Sequence, residues 1–192
     1  MKKFWFILIF TLFFSARSHA QDALTFYGVD FSLARIAGAN ETMEQFIHAF
    51  DQINDLFLTQ SQKYDLGKAL KRPIGTMKLE VAKCCTHQAL DTLRFENFIT
   101  TDHQYDCDDQ IEEHVANYRL DATEGQGCVL IANLLDKTHH TASYYILIFD
   151  NATKEIAYQV KLDGKTGGFG LRNYWANTVY EVLKKAKRTF LK

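Results

Sequence analysis

Two runs, Cys128-Val129-Leu130-Ile131-Ala132-Asn133-Leu134-Leu135 and Thr141-Ala142-Ser143-Tyr144-Tyr145-Ile146-Leu147-Ile148-Phe149, are almost continuously apolar. Each is of strand length, and runs this unbroken are what central strands buried on both faces carry. The link between them, Lys137 to His140, is short enough for a hairpin. Asp150-Asn151-Ala152-Thr153 supplies a second turn. After it, Ile156, Tyr158, Val160 and Leu162 alternate with Ala157, Gln159 and Lys161, the pattern of a strand with one wet face. These three strands are expected to form an antiparallel meander.

On the N-terminal side, Leu24 to Leu33 alternates as a strand and is broken at Gly38 and Asn40. Thr42 and Gln45 can form a capping box for a helix over 42–59, whose stripe of Met43, Phe46, Ile47, Phe50, Ile53, Phe57 and Leu58 suits the face of a sheet. Met77, Leu79 and Val81 alternate as a short strand, 84–96 carries no clear period, and Phe95 to Thr100 reads as a short extended segment. Asp108 or Asp109 is expected to cap a short helix with Ile111, Val115 and Tyr118 on one side. On the C-terminal side a last helix places Leu171, Trp175, Val179, Val182 and Ala186 together and ends in Lys184, Lys185, Lys187 and Arg188, favourable at the negative end of its dipole. The expected fold is α/β (α+β): a single mixed, mostly antiparallel sheet with two main helices and one shorter helix packed on it.

Residues 1–20 read as a signal peptide. Lys2 and Lys3 precede the apolar Phe4 to Phe14, and Ser18-His19-Ala20 offers small residues before a cut. The apolar run is too short to span a bilayer comfortably. A periplasmic or secreted protein is therefore expected, with 21–192 as one domain and no transmembrane segment after cleavage. The prepeptide holds three cations and no acid, so the remainder carries 19 cations against 23 acids, a net −4. That balance gives no reason to expect nucleic acid, which wants a basic face. In an oxidising compartment Cys84 or Cys85 could bridge to Cys107, closing a loop worth about 3 kcal/mol in the chain-entropy model; four reduced thiols are the alternative.

Motifs with chemistry are few. Gly164-Lys165-Thr166 has Gln159 where a phosphate loop needs glycine, and Gly167-Gly168-Phe169-Gly170 lacks dinucleotide spacing. What remains there is a weak anion site, with Arg172 and the amides of Gly167, Gly168 and Gly170 at a helix start. The competing reading makes these glycines a reversal, with Phe169 and Trp175 locking the helix to the sheet. Asp106-Cys107-Asp108-Asp109 lacks the glycine and the twelfth-position glutamate of a calcium loop, where Asn117 stands. Cys84, Cys85, His87, His103 and Cys107 are the zinc candidates but contain no paired-cysteine spacing. His139-His140 reads as a solvated turn. No cofactor, metal set or catalytic residue is expected.

Tyr27-Gly28-Val29-Asp30-Phe31-Ser32 and Gly167 to Trp175 resemble two blocks of a family of uncharacterised secreted proteins from Bacteroides-type bacteria, a likeness that extends through most of the chain after the signal peptide. The resemblance implies no activity and no catalytic residues. More distantly, the element order is similar to small periplasmic adaptor domains of the Tol and penicillin-binding-protein-activator type. The expected function is a non-catalytic binding or adaptor module of the cell envelope, its partner another envelope protein or a second copy, met through an apolar patch involving Tyr27, Phe31 or Phe169. The alternative is a small hydrolase or anionic-ligand-binding protein with a pocket near Arg172 and Asp30.

Overall fold

The computed structural model describes residues 23–92 and 95–190, so the signal-peptide expectation lies outside the described residues. In chain order the elements are β1 Leu24–Asp30, β2 Arg35–Ala37, α1 Met43–Thr59, α2 Leu66–Leu70, β3 Ile74–Met77, α3 Glu80–Thr92, α4 Phe95–Phe98 and β4 Ile99–Thr100. They continue through a 3-10 turn Asp108–Gln110, α5 Ile111–Ala116, β5 Gln126–Asp136, β6 Thr141–Asp150, β7 Ile156–Lys165 and α6 Leu171–Thr189.

The meander is present: β6 pairs antiparallel with β5 along its whole length, and β7 with β6. The expectation of a mostly antiparallel sheet is nevertheless wrong. On the other edge of β5 every pairing is parallel, with β1 on its first half and β2 on its second, β3 beside β1 and β4 beside β2. The reason is connectivity. Antiparallel neighbours can be joined by tight turns, whereas the helices between β2 and β3, between β3 and β4, and between β4 and β5 carry the chain back over the sheet, as parallel pairing requires.

β1 and β2 thus share one edge of β5, separated by the turn at 31–34. A kink inside β1 sets their faces. Gly28 has φ +105°, and a Cβ there would lie 2.6 Å from Asn54 Oδ1. The register to β5 shifts between Phe26 and Val29. Asn54 of α1 replaces the disturbed ladder, its Oδ1 accepting from the Val29 amide at 2.7 Å and its Nδ2 donating to the Val29 carbonyl at 2.9 Å.

Helix α1 begins at the expected Thr42–Gln45 capping box. Its Phe50 stacks on Phe31 at 3.8 Å and its Phe57 lies 4.7 Å from Phe26. Leu58, assigned to that stripe, is instead exposed. α1, α2 and α6 cover one face of the sheet, while Ile111, Val115 and Tyr118 join Val129, Ile131, Leu147 and Phe149 on the other. Leu79 and Val81 do not belong to a strand. Leu79 immediately precedes α3 and Val81 lies in its first turn; the buried Leu79, Ala82, Thr86 and Leu90 follow a helical spacing that small Ala82 and polar Thr86 conceal. The 108–116 region lacks the expected aspartate cap; neither Cys107 nor Gln110 caps with its side chain.

Gly164 is required by close packing. A Cβ there would lie 2.0 Å from the Thr178 carbonyl, so glycine lets α6 cross directly over β7. No described helix is long and apolar enough to cross a membrane.

Candidate functional site

Arg172 and Asp30 do not share a pocket. Arg172 opens onto a shallow crevice of ≈ 360 Å³ between α1 and the start of α6, shared with Gln45, His48 and Gln52. Its Nε and Nη2 both donate to Asn173 Oδ1, at 3.0 and 2.8 Å. Gly168 and Gly170 have positive φ, as a chain reversal needs. Gly167 serves the same reversal, donating its amide to the Tyr174 carbonyl. Trp175 is fully buried and anchors α6. Phe169 does not help to lock it, being 96% exposed. Tyr27 and Phe31 are fully buried, so they form no surface patch with it.

Asp30 lies on the opposite face, beneath α5. Its Oδ2 accepts from Tyr118 Oη at 2.7 Å and faces His114 Nε2 at 2.8 Å. Its Oδ1 accepts from the Ser32 amide at 2.8 Å and the Ser32 hydroxyl at 2.6 Å. Burial works to raise this carboxyl's pKa, but the His114 hydrogen bond and charge and the Ser32 donors outweigh it and hold the pKa below the ordinary value. Ser32 Oγ is also 3.0 Å from His114 Nε2, which brings serine, histidine and aspartate together. The wiring is not that of a nucleophile. The same ring nitrogen meets both Asp30 and Ser32, and the serine proton already points to Asp30, whereas an activated serine needs a free base on its proton and the carboxylate on the far nitrogen. Asp30 is a buried, paired charge that ties β1 to α5.

The cysteines carry no site. All four are free, with Cys107 and Cys128 buried, so the Cys84 or Cys85 bridge to Cys107 is not formed. Burial pushes the thiols of Cys85, Cys107 and Cys128 up to about 12, which leaves little thiolate for chemistry. Of the zinc candidates, His87 pairs with Asp51, and only His103 enters a cluster of possible metal ligands.

That cluster lies at the carboxyl ends of β2, β4 and β5, where open α/β sheets place their ligands. Asp136 is the last residue of β5, and only 4% of its side chain is exposed. Its Oδ2 takes the Nδ1 atoms of both His103 and His139 at 2.6 Å, and its Oδ1 accepts the His139 amide at 2.9 Å. The two rings stand edge to face at 4.7 Å. Burial acts to raise the Asp136 pKa, but the side-chain and amide hydrogen bonds of His139, then the side-chain hydrogen bond and charge of His103, carry it down to about 2.

Asn133 holds the loop that brings His103 in. Its Nδ2 donates to the Tyr105 carbonyl and to Ser143 Oγ, and its Oδ1 accepts the Cys107 amide at 2.9 Å. Tyr105 donates its hydroxyl to the Leu33 carbonyl and lies under the Arg35 guanidinium. In front of these groups is a crevice of ≈ 300 Å³ that reaches Lys161 and Asp163 on β7. Lys161 Nζ is tied to Asp106 Oδ2 at 2.7 Å, and Tyr145 donates to Asp106 Oδ1, which accounts for one acid of the false calcium motif.

Asp136 and the role of His139 were not visible in the sequence. One signal was available: within the two apolar strands the only interior polar side chains are Asn133 and Ser143, and they lie toward the same end of the sheet as the terminal Asp136. Searches against protein-family models, curated proteins and solved structures give no match to this chain.

Proposed function

We propose that the chain is an exported, non-catalytic binding module whose ligand enters the crevice at the carboxyl ends of β2, β4 and β5. The observation that carries this reading is the convergence of Asp136, His103, His139 and Lys161 on one crevice. Capping the β5–β6 turn occupies only Oδ1 of Asp136; the facing of Oδ2 by two imidazoles goes beyond what the turn needs, and a few convergent polar groups in a concavity are the usual mark of a ligand site. Export is supported by Lys2, Lys3, the Phe4 to Phe14 run and Ser18-His19-Ala20. The Ser32–His114–Asp30 wiring supports no hydrolase, and Arg172, already bonded to Asn173, makes the poorer anion site.

The test is a thermal-shift panel of divalent cations, phosphate, carboxylates and short sugars on the wild type and three variants. Ligands that stabilise the wild type are expected to lose their effect in His139→Ala, the anionic ones also in Lys161→Ala, and all to keep it in Arg172→Ala. Loss in Arg172→Ala alone overturns the crevice in favour of the α6 start.

A further inference from the structure

We infer that the ligand held directly by His103, Asp136 and His139 is a divalent transition-metal ion of the zinc class; this names the ligand class of the crevice proposed above and rests on that reading. Two imidazole nitrogens and a carboxylate oxygen lie within 4.8 Å of one another. Imidazole with carboxylate suits zinc, cobalt and nickel, while calcium and magnesium want oxygen alone.

The geometry needs a small adjustment. A tetrahedral ion with bonds of about 2.0 Å sets its ligand atoms about 3.3 Å apart. The two nitrogens now sit 2.6 Å from Asp136 Oδ2, so each ring must swing back by about 0.7 Å to meet that spacing. Both can, since the His103 and His139 side chains are 39% and 62% exposed while Asp136 stays fixed in the sheet. A carboxylate only accepts, so each Nδ1 now carries a proton. On metal binding that proton moves to Nε2 as the ring changes tautomer.

The support expected around a metal site is present as well. The His139 amide orients Asp136 through Oδ1, and Asn133 fixes the loop after His103 at two points. Three protein ligands leave the fourth position to water or to a donor group from a bound molecule.

The full chain, purified without a histidine tag and stripped with a chelator, is titrated with Co²⁺ and then Zn²⁺. One ion per chain is expected, with a visible Co²⁺ absorption band that Zn²⁺ abolishes. His103→Ala and His139→Ala should each lower affinity at least about a hundredfold, the upper end of what losing an outer partner costs. His140→Ala, whose ring bonds Tyr174 instead, should leave affinity unchanged. Because both ligand histidines are surface side chains, their variants should fold, and circular dichroism checks it; Asp136→Asn is the riskier variant. Affinity indifferent to both histidines, or no uptake at millimolar metal, overturns the proposal. In the second case, organic ligands that still depend on Lys161 mean that only the metal fails. Their independence of Lys161 means that the crevice fails too.

Discussion

Asp30 shows how a polar cluster can be structural while looking catalytic. Its folded pKa lies below that of an unfolded aspartate, so it contributes stability that is fully present above the unfolded pKa of about 3.9 and is lost as pH falls through the folded value. Urea melts between pH 3 and 7 should show a plateau above about pH 5 and a decline below about pH 4 that Asp30→Asn flattens. The same variant should cost about 3–5 kcal/mol at neutral pH, since it leaves the donors of Ser32, Tyr118 and His114 facing an amide in a buried site. A loss under about 1 kcal/mol would mean that the buried pair contributes little. The sequence showed Asp30 inside an alternating strand but not its partners, because His114 and Tyr118 lie more than eighty residues away. Asp136 was hidden for the same reason: His139 is three residues off, but His103 reaches it only through the loop that Asn133 holds.

At the scale of elements, patterns that repeat along one segment were legible. The aromatic stripe of α1, its capping box, the two apolar strands and the α6 face all follow from spacing. α3 was not, because its buried face includes a threonine and an alanine that no hydrophobic count marks. β2 and β4, of three and two residues, are too short to hold a period. The glycine-rich joint before α6 divides its work in a way composition did not suggest. Gly164→Ala should cost about 2–3 kcal/mol or more, because a methyl cannot coexist with the Thr178 carbonyl unless α6 lifts off β7. Phe169→Ser, a few residues on, should change stability by no more than about 0.5 kcal/mol. Chemical denaturation of the two variants checks this; equal losses would restore Phe169 as part of the lock.

For the whole molecule, strand direction was the main misreading. A meander announces itself through two turns in the sequence. A parallel half is announced only by the helices that interrupt it, and here α3 carries no clear apolar period. The signal that remained was the near-continuous apolarity of β5 and β6, which holds for central strands of either direction. β5 in fact separates an antiparallel half from a parallel one. The parallel half is divided again, since β1 and β3 support the start of β5 while β2 and β4 support its end.

That division gives the two ends of the sheet unequal resistance to opening. At one end the seven-residue β1 lies between β5 and β3, with helices packed beneath it; at the other a three-residue strand holds a two-residue one. Sub-global openings are drawn from the less anchored regions, so amides of β2 and β4 should exchange with solvent well before those of β1 and β5. His103 follows β4 by three residues, and Asp136 closes β5. An ion gripping both residues acts as a staple across β2, joining lanes that backbone pairing holds only briefly. Saturating Zn²⁺ should therefore slow exchange at Arg35–Ala37 and Ile99–Thr100 and leave Leu24–Asp30 unchanged, an outcome mass-spectrometric hydrogen exchange can read. The frailty of that corner then makes its exchange rate a direct report of occupancy.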